Sequence, residues 1–426
     1  MIRWITDKLG TASYYDYEEI RSTIDAVVID VRELTDREGN TAGFVMAKIQ
    51  AALKALRDER NVVVCCDKGI SRSNAIVAGV LMASGMSYED VVGLLVEKVA
   101  VSDMNLGLLH DIRSLFGDAQ EQDQKAAANI LVTGSTGFVG RALVDALRSE
   151  YNVFCPHRGE LDLTRDLHLL DLYVKKNNIG FIMHLAHPRM RNSVSAMAEA
   201  VAMMRNILEV CRLDELGVLY LSGLVVFSGY ISDSVLEARS SLEPWPRGTY
   251  AETKFLCEEL IGLYQKNYGL KATVLRPAAL YGRGMDRATF ICKFFEAAMQ
   301  GATIRTHRYR NGPPIFDFLY LDDLIDVIRL ALHIRPRVTL NIGTGKGTST
   351  YEIAQAISRI SSSGSAVEMI DIDDETYKVI VDPSEARAYL GWEAKTDLET
   401  GIKELWEWFS RSVSRYVTWP VEGSYE

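Results

Sequence analysis

A chain of 426 residues exceeds the ~250–300 that one hydrophobic core usually organises, which points to at least two domains. Hydrophobic residues at 48%, charged residues at 24%, 31 Gly and only 10 Pro exclude disordered, collagenous and low-complexity classes. The net charge of -10, an acidic balance that residues 1–117 share, argues against nucleic-acid or anionic-membrane partners, so any phosphate must be held by local donors.

Six Cys, with Cys65 and Cys66 adjacent and the rest scattered, form neither a disulfide framework nor metal-ligand spacings. The expectation is a reducing, cytoplasmic setting and no metal. The opening MIRWITDKLG lacks the apolar run of a signal peptide, and the most apolar stretch, Ala75 to Met86, is shorter than the ~20 residues of a membrane helix.

In chain order, Ala26 to Val31 and Asn61 to Cys65 are β-branched runs suited to buried strands, and Thr41 to Leu56 and Ser73 to Met82 carry helical spacing. Residues 1–117 therefore read as an α/β domain. The polar stretch GDAQEQDQKAAA predicts a linker over 118–128. Beyond it, Asn129 to Thr133, Asn152 to Cys155, Phe181 to His184, Val218 to Ser222 and Ala272 to Leu275 are strand-like and mostly separated by helical segments. That alternation predicts a doubly wound parallel sheet of Rossmann type over 129–426. It becomes irregular from about Arg283, as a smaller substrate-binding lobe would.

The run Cys66-Asp67-Lys68-Gly69-Ile70-Ser71-Arg72-Ser73 follows a buried strand and opens a helix, so its backbone N–H groups can curl around an anion. Such a site pairs a thiolate nucleophile, Cys66, with a planar bidentate donor, Arg72, and needs a carboxylic acid to protonate the leaving oxygen. The loop's N–H groups and Arg72 would depress the thiol pKa, and Ser73 can donate to the thiolate. Asp36, on a loop, is preferred as the acid over Asp30, which ends a strand. With WITDKLGTASYYDYEEIRSTIDAVVIDV upstream, residues 2 to 117 resemble the dual-specificity, tyrosine-type phosphatases. The resemblance implies phosphomonoester hydrolysis, with Lys68, Gly69 and Ser71 cradling a phosphorylated protein or small molecule. One departure is Cys65 where the family usually has His. Phosphate docking without turnover and a merely structural cysteine are the competing readings.

In the second domain, Gly134, Gly137 and Gly140 stand at a strand-to-helix turn, where glycines let a backbone approach a pyrophosphate. Tyr250 and Lys254, four apart, share a helical face, so the ammonium can favour the phenolate. These residues resemble the extended short-chain dehydrogenase/reductase superfamily. Supporting matches are His184-Leu-Ala186, Leu275-Arg276-Pro277 with Tyr281-Gly282, Asp322-Asp323, Asn341-Ile-Gly343 and Leu390-Gly391-Trp392. The resemblance implies coenzyme contacts from the three glycines, Thr136, Phe138, Val139, Asp162, Leu163, Leu185, Ala186, Tyr250, Lys254 and Pro277. It also implies epimerisation, dehydration or reduction of a nucleotide sugar, and a homodimer through the Tyr250 helix.

No acidic residue stands where a ribose 2′-OH would be held. Arg158, helped by His157 or Arg141, can instead neutralise a 2′-phosphate, which favours NADP over NAD. Arg276, Arg283, Arg305, Arg308 and Arg310 are candidates to clamp a diphosphate, Arg283 and Arg310 foremost. The family's hydroxyl donor to the reacting carbonyl falls on Gly223, and adjacent Ser222 replaces it only if the strand end bends. The competing reading is therefore an NADP-binding regulatory or scaffold module that controls the phosphatase.

Overall fold

The computed structural model describes residues 2–99, 104–116, 129–165 and 167–414, so the expected linker lies outside the described residues. The chain forms two compact units, one of residues 1–127, 157–179 and 209–214, the other of 128–156, 180–208 and 215–426. A single cut after residue 117 does not reproduce this division, because two later segments cluster with the first unit.

In the first unit, β1 (Arg3–Trp4), β2 (Leu9–Ser13), α1 (Tyr14–Ile20), β3 (Ala26–Asp30), α2 (Ala42–Arg57), β4 (Asn61–Cys66), α3 (Arg72–Ala83), α4 (Tyr88–Lys98) and α5 (Leu106–Ser114) follow in order. The sheet order is β1-β2-β4-β3, with β2 and β3 parallel to central β4 and β1 antiparallel at the edge. β4 is buried from Val62 to Cys66, and α3 is buried from Ser73 to Leu81, so strand and helix form the unit's centre. The turn between them carries the Cys66 run at the carboxyl end of the sheet.

The second unit opens with β5 (Asn129–Thr133), α6 (Phe138–Leu147) and β6 (Asn152–Phe154). The chain continues through α7 (Leu167–Lys176), which belongs to the first unit, then β7 (Phe181–His184), α8 (Val194–Leu213) and β8 (Gly217–Leu221). Then come β9 (Leu236–Ala238), α9 (Thr249–Tyr268), β10 (Lys271–Pro277), β11 (Ala279–Tyr281), α10 (Phe290–Met299), β12 (Ile304–Tyr309), β13 (Ile315–Tyr320) and α11 (Leu321–Ile334). Last are β14 (Thr339–Ile342), β15 (Gly347–Ser349), α12 (Thr350–Ile360), β16 (Val367–Ile372), β17 (Val379–Val381), α13 (Ser384–Leu390) and α14 (Leu398–Ser414).

Six strands pair in parallel in the order β14-β10-β8-β7-β5-β6. The chain reverses its direction of travel between β5 and β7, and the crevice at such a switch point is where open α/β sheets bind ligands. The later strands form the smaller β11-β13-β17-β9 sheet, with β15 on β13, and the separate β12-β16 pair. Among the described residues, no helix is long and apolar enough to cross a membrane.

Candidate functional site

The glycine turn sits at the carboxyl end of β5 in the second unit. Gly134 has φ +73, and a Cβ there would come within 2.6 Å of the Ala186 N, so only glycine fits between the turn and the end of β7. Gly140 lies too close to the Gly134 carbonyl for any side chain. Gly137 precedes α6 without a side-chain cap, which leaves the first N–H groups of that helix for an anion. The side chains of Phe138 and Val139 pack against the core, so what they can offer a pyrophosphate is backbone. Thr133 Oγ1 bridges Nδ1 of His184 at 2.8 Å and the N–H of Ala186 at 3.3 Å, fixing the Leu185-Ala186 turn.

Tyr250 and Lys254 lie in the first turns of α9. Lys254 is buried and donates to the Leu221 carbonyl at 2.7 Å, with Nζ 5.9 Å from the centre of the Tyr250 ring. Sequence reasoning did not single out two further neighbours. The His187 ring meets Tyr250 edge-on at 5.0 Å and 71°, and the Arg191 guanidinium lies 5.6 Å from the same ring. Their signal was position, immediately past the His184-Leu-Ala186 strand end. Burial, with Lys254 and Arg191 nearby, holds His187 neutral by lowering its pKa to about 4 despite the bond to Pro188 O.

Ser222 does not stand in for the missing hydroxyl. Its Oγ is enclosed and has no hydrogen-bond partner among the described residues. Gly223 is extended at φ 173 rather than bent, and a Cβ there would meet nothing nearer than 3.8 Å.

The arginines proposed from the sequence are largely committed to acids. Arg276 is buried and forked onto Glu258 at 3.0 and 2.5 Å, a structural pair rather than a ligand clamp. Arg305, Arg308 and Arg310 face Glu368, Asp371 and Asp373, and Arg283 reaches Glu404 at 3.2 Å. A diphosphate at Arg283 or Arg310 must displace an exposed pair, which is weak and costs little to break.

Within the first unit, the Cys66 sulfur lies 3.4 Å from Ser73 Oγ and accepts the Gly69 N–H at 3.2 Å. Burial pushes the thiol up, but Ser73 and the N–H groups of Ser73, Ile70 and Gly69 outweigh it and leave the pKa lowered. Cys65, buried without such donors and near Asp30, is pushed up to about 12. Gly69, at φ +67, turns the loop against Ala12 and Ser13 where no Cβ fits. Lys68 is exposed on the loop.

Arg72 donates to the carbonyls of Arg32 at 2.7 Å and Leu34 at 3.2 Å and bonds Asp67, which engages three of its five N–H groups. Two donors remain for an oxyanion. Ser71 leaves its helix uncapped, accepts the Asn105 N–H at 2.7 Å and bonds Asp36, so the Asp36 carboxyl touches the loop itself. Asp30 is forked onto Arg32, which holds its carboxyl below the usual range and unsuits it as an acid.

Also in the first unit, Arg158 Nε stands 3.6 Å from Asp162. Asp162 accepts from the N–H and hydroxyl of Thr164, and these bonds outweigh burial to lower its pKa. His157 Nδ1 takes the Glu160 N–H at 3.2 Å. Leu163 lies between Asp162 and Thr164, just past Leu161, which is buried.

A glycine turn at the switch point of a six-stranded parallel sheet, with a Tyr-x3-Lys pair on the helix before the fifth strand in chain order, defines a dinucleotide-binding domain of dehydrogenase type. Residues 130–343 match the NAD dependent epimerase/dehydratase family. A putative UDP-glucose 4-epimerase of Methanocaldococcus jannaschii is 28% identical over 309 residues, covering 66% of this chain and 99% of that protein. A GDP-6-deoxy-D-talose 4-dehydrogenase of Aggregatibacter actinomycetemcomitans is 28% identical over 293 residues, 65% of this chain and 97% of its own length. The crystal structure of UDP-glucose 4-epimerase with UDP-glucose from Thermotoga maritima superposes with a TM-score of 0.60 at 25% identity, covering 67% of this chain and 99% of that one. The chain belongs to the NAD dependent epimerase/dehydratase family.

Proposed function

We propose that the second unit is a nicotinamide-dependent enzyme that epimerises, dehydrates or reduces a nucleotide sugar. The observation that carries this is the Tyr250–Lys254 pair fixed on the Leu221 carbonyl, on the sheet whose Gly134 turn fits only glycine. The relatives' names, a UDP-glucose 4-epimerase and a GDP-6-deoxy-D-talose 4-dehydrogenase, supply the substrate class. The N–H groups that open α6 hold the pyrophosphate, and the coenzyme, when bound, supplies hydride exchange with a sugar carbon. Tyr250 moves the matching proton at the sugar oxygen, and Lys254 steadies the phenolate electrostatically. NADP is the preferred coenzyme, since Arg158 and His157 follow β6 where an acidic residue would select NAD. Leu256 and Leu263, seven residues apart and so on one face of α9, are both exposed, which suits a homodimer.

Incubating the full chain with NAD or NADP and UDP- or GDP-sugars, then reading absorbance of the reduced nicotinamide and product mass, tests this. Coenzyme binding without conversion favours the regulatory reading, for which the vacant Gly223 position is the motivating observation.

The first unit reads as a Cys-dependent phosphatase, on the strength of a Cys66 sulfur held against the Gly69 N–H and Ser73 Oγ on the loop that carries Arg72. The Cys66 thiolate attacks phosphorus, the P–O bond to the leaving group breaks, and Asp36 protonates the departing oxygen. Water, deprotonated by Asp36, then cleaves the S–P bond to release phosphate and the thiolate. Cys66→Ser abolishes hydrolysis of an aryl phosphate on this reading, and survival of activity sinks it.

A further inference from the structure

The segment that carries Asp36 is braced from several sides. Asn40 Oδ1 accepts from the N–H and hydroxyl of Thr35 at 2.9 and 3.1 Å, and its amide donates to the Thr35 and Arg37 carbonyls. The N–H groups of Gly39 and Asn40 donate to Asp111 Oδ2 at 2.8 and 3.1 Å. The remaining brace comes from far along the chain. Arg212, near the carboxyl end of α8 and within the first unit, forks onto Glu38 at 2.7 and 3.3 Å. Its side chain is 11% exposed and is also held by Glu209 at 2.6 Å, so the guanidinium presents a fixed edge to Glu38.

Nothing in the chemistry of phosphoryl transfer requires Arg212 to touch a ligand, yet its partner lies two residues from the acid. Burial pushes the Glu38 carboxyl up, but the Arg212 contact together with a backbone N–H and the nearby Arg37 charge outweighs it and leaves its pKa lowered. The pair is charged and preorganised on one side by the buried arginine, which makes it stiffer than an exposed ion pair.

We propose that Arg212 is a positioning residue for the phosphatase acid: its fork on Glu38 holds residues 34–40 so that the Asp36 carboxyl stays against Ser71 at the Cys66 loop. The inference rests on the phosphatase reading of that loop. It makes a segment beyond residue 128 part of the phosphoryl-transfer machinery of the first unit.

The chemistry gives a selective readout. An acid speeds expulsion of a basic phenoxide and matters little for an acidic one, so misplacing Asp36 harms phenyl phosphate, whose phenol has a pKa near ~10, far more than p-nitrophenyl phosphate. In the full chain, Arg212→Gln and, separately, Glu38→Gln lower kcat/KM for phenyl phosphate, which reports only the steps up to P–O cleavage, by about tenfold and leave that of the p-nitrophenyl ester within about twofold. The pH dependence of Cys66 alkylation stays as in the unaltered chain. Asp36→Asn shows the same selectivity with a larger loss, and adding Arg212→Gln to it costs nothing more, as expected for two residues acting through one proton transfer.

Equal losses on both esters, or none on either, overturn the role of Arg212 while leaving the phosphatase reading in place. An unaltered chain inert toward both esters overturns that reading and the role of Arg212 with it. Glu38→Gln keeps the test decisive should Arg212→Gln fail to fold, because Glu38 is 39% exposed and its loss leaves the Glu209 contact intact.

Discussion

Lys254 donates its ammonium to the Leu221 carbonyl at 2.7 Å, tying the helix that bears Tyr250 to the end of β8. The bond gives Lys254 two separable jobs, one structural and one electrostatic. Tyr250→Phe keeps the fold and lowers turnover by ~10²–10⁴, the usual contribution of a positioned proton donor. Lys254→Met also leaves a buried carbonyl unpaired, a cost of ~1–3 kcal/mol, and lowers Tm in a thermal melt where Tyr250→Phe does not.

Gly134 and Gly223 are predicted to respond in opposite ways. Gly134→Ala meets the Ala186 backbone at a positive φ, so NAD or NADP binding by titration calorimetry is lost and the chain is destabilised. Gly223→Ser places its Cβ in open space on an extended backbone. It leaves Tm unchanged and raises turnover of the nucleotide sugar, by up to ~10²-fold, the worth of one such donor. A serine there that binds coenzyme normally but leaves turnover flat argues for the regulatory reading.

The two adjacent cysteines separate by reactivity. Cys66 has a lowered pKa, whereas Cys65 is pushed up to about 12, so iodoacetamide at neutral pH modifies Cys66 first, as peptide mass mapping will show. Ser73→Ala removes a donor to the thiolate and moves the alkylation profile to higher pH. Because the folded pKa lies below that of the unfolded chain, the thiolate contributes stability above the free-thiol value. That contribution is lost as pH falls through the folded value.

Asp214 predicts a pH dependence of stability in the first unit. Burial first, and then the nearby Asp171 carboxylate, raise its pKa to about 6, against the pull of Lys175 at 3.4 Å. The unfolded value is ~3.9, so between these limits the folded chain holds a proton that the unfolded chain has released. The Asp214 contribution to stability therefore rises as pH falls through about 6 towards 4. Asp214→Asn flattens that part of the Tm-against-pH curve and raises Tm at pH 8.

The elements were legible because each left a local pattern. The Asn61–Cys65 run reads as a buried strand, one residue short of the observed β4, and the glycines of the Gly134 turn announce a strand-to-helix passage. The Tyr250–Lys254 spacing could be read without a partner in view. Pairs such as Arg276–Glu258 and Arg212–Glu38 could not, since a charged residue looks the same in sequence whether it faces solvent or a distant acid. The enclosed hydroxyl of Ser222 was likewise invisible, because burial of a single atom depends on everything packed around it. The division of the chain was legible only in part. Tyr88 donates to Asp171 at 2.9 Å and Leu172 packs on the first unit's core, and neither contact has a signature in local periodicity.

The recruitment of residues 157–179 and 209–214 to the first unit bears on the order of events during synthesis. A ribosome emits the chain from its amino end, and domains generally fold as their residues emerge. The Cys66 loop is made early, but the Arg212 brace leaves the exit tunnel only after β5, β6 and β7 have been translated. Residues 3–98 therefore emerge before the two later segments that complete their unit.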